Sequence, residues 1–256
     1  MGLLPTTKSV KKSNDPKNLI LFGLPKVGKT TSLSKLPNAL LIDMENGTDY
    51  IDDAFVMKAN NYVDLYKIAK ALKDEENGFK FVILDTVTAL EDIALELAAK
   101  RYKESPVGRN WDGSGKDILK LPNGSGYYWS RLAMQEIIGW FEDQKYNLIL
   151  TGHTKDKNLI EGGSELNVKT LDLQGKTGTI LSAKSDAIAY LYRDTETGSL
   201  MANFGDMNSV LTGARMPHLA GKTIELAERK MNEETGEWEI VTHWSRIFPS
   251  LNKESK

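Results

Sequence analysis

Residues 19–31 read LILFGLPKVGKTT, and this stretch decides the fold. Four apolar residues run without a polar break into a loop holding two glycines, then a lysine and two threonines. A short continuous apolar run reads as a strand buried on both faces, the form found inside parallel sheets. Gly23, Gly28, Lys29 and Thr30 fill every fixed position of G-x-x-x-x-G-K-[ST]. In that pattern the glycines let backbone N–H groups curl inward as an anion nest, and the following helix aims its positive end at the same place. The candidate nucleotide-binding residues are therefore Gly23, Leu24, Pro25, Lys26, Val27, Gly28, Lys29, Thr30 and Thr31. Lys29 is placed to reach the β- and γ-phosphates of a nucleoside triphosphate, and the Thr30 hydroxyl to sit on Mg²⁺.

Outward from this stretch, four more apolar runs recur: ALLIDM (39–44), KFVILD (80–85), NLILTG (147–152) and AIAYLY (187–192). Helical spacing appears between them, over 63–72 (Val63, Tyr66, Ile68, Leu72), 89–103 (Leu90, Ile93, Ala94, Leu97) and 128–144 (Leu132, Ile137, Ile138, Phe141). Thr88 and Glu91 fit a capping box for the second of these. Strands alternating with helices predict an α/β fold with a mostly parallel sheet and crossover helices. Past residue 193, RDTETGSL and ERKMNEETGEWEIVTHW each place a Thr-Gly turn between β-prone flanks, which predicts hairpins. Stretches 104–126 and 160–166, rich in Gly, Ser, Pro or Asn, read as irregular loops. The expected organisation is a flexible basic arm at 1–17 (Lys8, Lys11, Lys12 and Lys17 against Asp15), a core at 18–220, and a C-terminal hairpin extension with a tail at 221–256.

Composition narrows the function classes. The chain has 256 residues, 40% hydrophobic and 27% charged, with a net charge of −2, so any nucleic-acid contact must come from a local patch. It has no cysteine, which excludes disulfides and thiolate metal sites, and its three histidines are too scattered for a zinc centre. No run approaches the roughly 18 apolar residues of a membrane span, and the reading is a soluble, cytoplasmic protein with no membrane partner.

A phosphate loop needs a second carboxylate for its metal. FVILD delivers Asp85 to the carboxyl end of a strand expected beside the first, so Thr30 and Asp85 form the candidate metal pair. The next residue is Thr86, where many phosphate-loop motors carry a glutamate, so a base for water must come from elsewhere. Glu45, in LLIDMENG, is placed for this, because ligands of open α/β sheets sit outside the carboxyl strand ends. LILTGHT similarly ends a strand with Thr151, Gly152 and His153, and His153 is a candidate γ-phosphate sensor.

Together these four features, the loop, IDMENG, the Asp-terminated strand and TGH, resemble the RecA-type ATPase core over roughly residues 18–220. The short chain is similar to phage-encoded RecA-like ATPases of the AAA or nucleotide-binding type, and to minimal RecA-like single-strand annealing proteins. The resemblance implies an ATPase that uses ATP with Mg²⁺, is stimulated by DNA, and has Lys29, Glu45, His153 and Arg215 as its catalytic set, with Arg215 an arginine finger and Lys222 the second candidate. It implies single-stranded DNA, a head-to-tail ring or filament of identical subunits, and a single-strand DNA-binding protein as partners, in host cytoplasm if the chain is phage-encoded. The DNA-facing segment would be 154–176, with Lys155, Lys157, Lys169 and Lys176 against Asp156, Glu161, Glu165 and Asp172. From 104–126, Arg109, Trp111 and Lys116 mix cations with an aromatic, which suits stacking on bases. Alternative readings are a helicase-like or replication-accessory motor, a small-molecule kinase (although no arginine-rich lid appears), and a nucleotide-gated module without appreciable hydrolysis.

Overall fold

Each of the five apolar runs forms a strand: β1 (Asn18–Gly23), β2 (Ala39–Asp43), β4 (Phe81–Asp85), β5 (Asn147–Gly152) and β8 (Ala187–Arg193). The short edge strand β3 (Phe55–Lys58) follows β2; its run AFVM (54–57) is apolar but only four residues long, and at the edge only Val56 is half-buried against the core while Phe55 and Met57 are exposed. These six strands are parallel, in the order β8-β1-β5-β4-β2-β3. The computed structural model describes Leu4 and residues 13–161, 164–205, 210–233 and 235–253.

One expectation is corrected. The strand bearing Asp85 is not beside β1, because β5 lies between, pairing Leu19 with Ile149 on one side and Val82 with Leu148 on the other. A uniformly apolar run is accepted equally by any central position, so periodicity carries no neighbour information.

Alternate residues of each strand feed two separate cores. Ile20, Phe22, Ile42, Leu84 and Leu150 face α2 (Tyr62–Asp74), α3 (Val87–Glu104), α4 (Ser125–Glu142) and α5 (Thr177–Lys184). Leu19, Leu21, Leu41, Ile83 and Ile149 face α1 (Lys29–Leu33) and the C-terminal segment. Each such side chain contributes about 2 kcal/mol by leaving water.

Both predicted hairpins form. β8 turns at Thr197-Gly198 into β9 (Leu200–Asn203), and β11 (Thr223–Met231) turns at Thr235-Gly236 into β12 (Trp238–Thr242). β9 pairs β11, so the sheet extends antiparallel beyond β8, whose first residues also pair β10 (Gly213–Ala214). The C-terminal segment belongs to the second core: Trp244, Ile247 and Phe248 are buried, the Trp244 indole donates to Ser32 O at 2.9 Å, and Phe248 meets Phe81 at a centroid distance of 4.7 Å.

Other local expectations shift. Thr86, extended at φ −120° and ψ 161°, caps α3 by accepting from Ala89 N; Thr88 and Glu91 lie inside the helix and bond elsewhere. The 104–126 stretch contains two 3₁₀ turns, Gly115–Lys120 and Pro122–Gly124, pinned by buried Ile118. The 160–166 stretch is the end of a hairpin, β6 (Thr154–Glu161) with β7 (Ser164–Leu171); Gly162 and Gly163 lie outside the described residues, as do Lys8, Lys11 and Lys12 of the arm. Residues 13–17 of that arm are tied to the body, Lys17 Nζ donating to Gln144 O at 2.6 Å and Asp15 Oδ1 accepting from Ser250 N at 3.1 Å. Among the described residues, no helix is long and apolar enough to cross a membrane.

Candidate functional site

β1 and β8 run parallel, so both carboxyl ends open at one edge of the sheet. A Cβ on Gly23 would stand 2.6 Å from Leu191 O, so only glycine lets β1 end this close to β8. Gly28 has φ +112°, left-handed backbone that costs glycine nothing, and α1 starts at the next residue. That helix is five residues long, so loop amides rather than a long macrodipole face the site. Lys29 is 6% exposed, and its Nζ donates to Gly23 O at 3.1 Å and Leu24 O at 3.0 Å. Burial draws its pKa below the ordinary lysine range, against the pull of Asp85 and Glu45.

Thr30 Oγ1 donates to Asp85 Oδ2 at 2.7 Å, and Thr151 Oγ1 donates to Asp85 Oδ1. Asp85 is 5% exposed; burial raises its pKa, while the two hydroxyl bonds and Lys29 oppose the rise and Glu45 adds to it. Among the described residues no cation lies within ion-pair distance of this carboxylate. A hard oxygen pair, the Thr30 hydroxyl and the Asp85 carboxylate, fits Mg²⁺.

Asp43 holds the loop that carries Glu45. Its buried carboxylate accepts from Glu45 N (2.9 Å), Gly47 N (3.3 Å), Thr48 N (3.1 Å) and Thr48 Oγ1 (2.6 Å). Burial would raise its pKa, but these donors bring it below the usual carboxylate value. A depressed folded pKa contributes stability that is present above the unfolded pKa near 3.9 and lost as pH falls through the folded value. Asp43→Ala should therefore cost about 2–4 kcal/mol at neutral pH, by stranding several N–H donors. It should also flatten the acid limb of the stability profile below about pH 4. Denaturant melts at pH 3 and pH 7 check both; unchanged melts would show that the loop holds itself.

Glu45 Oε1 accepts from Thr86 Oγ1 at 2.5 Å and lies 3.2 Å from His153 Nε2. His153 Nδ1 is buried without a hydrogen-bond partner, so the ring meets the site through Nε2 at Glu45. From His153 a chain of bonds runs to the β6–β7 hairpin. His153 N donates to Thr88 Oγ1 (3.1 Å), Asp172 N to His153 O (2.9 Å), and Gln174 N to Glu91 (2.8 Å).

The structure thus gathers Lys29, Thr30, Asp85, Glu45 and His153. It does not bring Arg215 to them. Arg215 bonds Asp186 at 3.2 Å and Ala183 O at 2.9 Å, and Asp186 receives Lys17 N and Asn18 N at the start of β1, the opposite end of the sheet. Of the basic residues, Lys155 pairs with Asp172, Lys169 with Asp156 and Lys116 with Asp92. Arg109, Lys157 and Lys176 are exposed, with no carboxylate in ion-pair range among the described residues. Trp111 packs edge-to-face on Tyr102 at 5.3 Å, under Lys103, so stacking on a base would require leaving that contact. Glu225, Glu228 and His243 converge within 4.8 Å, but Arg246 and Lys230 already neutralise the two carboxylates. The residue pattern alone assigns no site role to Asp43, Thr86 or Arg193; Asp43 and Arg193 each stand directly after an apolar run, and Thr86 one residue further on, behind Asp85.

A family model described as an AAA domain (AAA_24) matches residues 15–224. The chain is also similar to the crystal structure of the RadB recombinase, at 13% identity and a TM-score of 0.43, covering 87% of this chain and 90% of that one. No curated protein matches the sequence.

Proposed function

Because the chain belongs to the AAA domain family, we propose that it is a RecA-like ATPase acting on single-stranded DNA, in phage-type recombination or strand annealing, as a head-to-tail assembly. The observation that carries the reading is the convergence of Lys29, the Thr30–Asp85 pair and the Glu45–Thr86–His153 cluster at one sheet edge. When bound, ATP with Mg²⁺ supplies the phosphoryl group and the charge that orders the loop. Lys29 exchanges its two carbonyl partners for phosphate oxygens. Thr30 and Asp85 would hold the metal. Glu45 takes a proton from the attacking water, with its carboxylate aimed by Thr86 and His153. Loss of the outermost phosphoryl releases His153, and the bonds through Thr88, Asp172 and Glu91 carry that change to the β6–β7 hairpin.

Arg215, remote from its own loop, would serve the site of a neighbouring subunit. Arg109, Lys157 and Lys176 are the cations best placed to meet a phosphodiester backbone, beside Lys155, Lys169 and Lys116, and a single-strand DNA-binding protein is the class of partner such an activity works beside. The test is the steady-state ATPase rate with and without single-stranded DNA at two salt concentrations. Stimulation at low salt that falls steeply at high salt is expected. An unstimulated rate together with no DNA binding would remove DNA from the function and leave the ATPase.

A further inference from the structure

Arg193 is the last residue of β8, and it leaves the sheet beside the phosphate loop. Its Nε donates to Val27 O at 2.9 Å, and its Nη1 donates to Gly198 O, in the β8–β9 turn, at 3.0 Å. Its Nη2 sits 2.6 Å from where a Cβ on Gly28 would stand, so the guanidinium rests directly against the residue before Lys29. The neighbouring acid is not its counter-ion: Asp194 spends its carboxylate on Glu196 N, Thr197 N and Thr197 Oγ1. No other carboxylate lies in ion-pair range of Arg193 among the described residues. A guanidinium offers five N–H donors in a fixed fork, and two of these bonds are formed here.

We propose that Arg193 is a positioning residue of the triphosphate site, clamping the glycine loop to the β8–β9 hairpin and placing one uncompensated positive charge beside the polyphosphate. The inference rests on the nucleotide reading above. Two components follow. The clamp needs the planar fork, since a lysine ammonium cannot span Val27 O and Gly198 O in the same way. The charge needs only a cation.

The test titrates Arg193→Ala, Arg193→Lys and Lys29→Ala against ATPγS and inorganic tripolyphosphate with Mg²⁺, by calorimetry at low and high salt. Hydrogen exchange of residues 24–28 is followed in nucleotide-free protein. Arg193→Ala should weaken both ligands about tenfold, the scale of one lost charge-assisted contact, with KM for ATP rising more than kcat falls. Arg193→Lys should recover part of the affinity at low salt only, while its loop amides exchange as fast as those of Arg193→Ala. Unchanged affinity in Arg193→Ala overturns the proposal, as does Arg193→Lys binding no better than Arg193→Ala at low salt or leaving loop exchange at the wild-type rate. Wild-type protein that binds neither ligand sinks the nucleotide reading and this proposal with it. Binding lost in Lys29→Ala but kept in Arg193→Ala sinks this proposal alone.

Discussion

Lys29→Ala is expected to abolish ATP binding at micromolar nucleotide and to lower kcat/KM by about a thousandfold or more, the scale of losing a preorganised charge at a transferring phosphoryl group. Placement is the reason. The ammonium is nearly buried, and two loop carbonyls hold it at the mouth of the glycine turn. The fold should survive the change. Alanine strands Gly23 O and Leu24 O at a cost near 1 kcal/mol each, but it also removes a cation that burial disfavours. Thermal melts should therefore stay close to wild type while calorimetry shows no heat of binding. Wild-type nucleotide affinity in a folded Lys29→Ala variant would show that the loop is not the phosphate seat.

Glu45→Gln should bind ATP as wild type does, yet hydrolyse it about 10²- to 10⁴-fold more slowly, the usual scale for losing a general base. The amide oxygen can still accept from Thr86 Oγ1 and His153 Nε2, so geometry is preserved. What is lost is the capacity to take up a proton. Single-turnover kinetics with radiolabelled ATP separate the chemical step from binding, and a wild-type rate would remove Glu45 from the reaction. The same variant also tests Arg215. Mixed with Arg215→Ala subunits, it should regain part of the turnover if the finger reaches a neighbour's site; a mixture as slow as its components would leave Arg215 to its bond with Asp186.

Much of this was legible in the residues. The five apolar runs, the glycine loop and both Thr-Gly hairpins are local features, and each appears where the pattern puts it. Features that depend on distant partners were not legible. The insertion of β5 between β1 and β4 is a choice among equivalent apolar neighbours. The cap of α3 moved two residues upstream, because Thr86 has the extended backbone a cap requires, while the Thr88 hydroxyl serves His153 N. Trp111 reads as an exposed aromatic until Tyr102 is known to lie beneath it. Arg193 looks like an ordinary polar strand end until parallel pairing carries it to Val27.

The match to the family stops at residue 224, but the apolar layer beneath α1 continues through Phe248. A fragment trimmed to the matched segment would uncover Leu33 and Phe81 and break the indole bond to Ser32, the strut behind the helix that begins with Lys29. Such a fragment would emerge from expression sticky and with a slackened nucleotide cradle, and its inactivity would say nothing about the chemistry. The natural unit for preparation runs to the end of that layer.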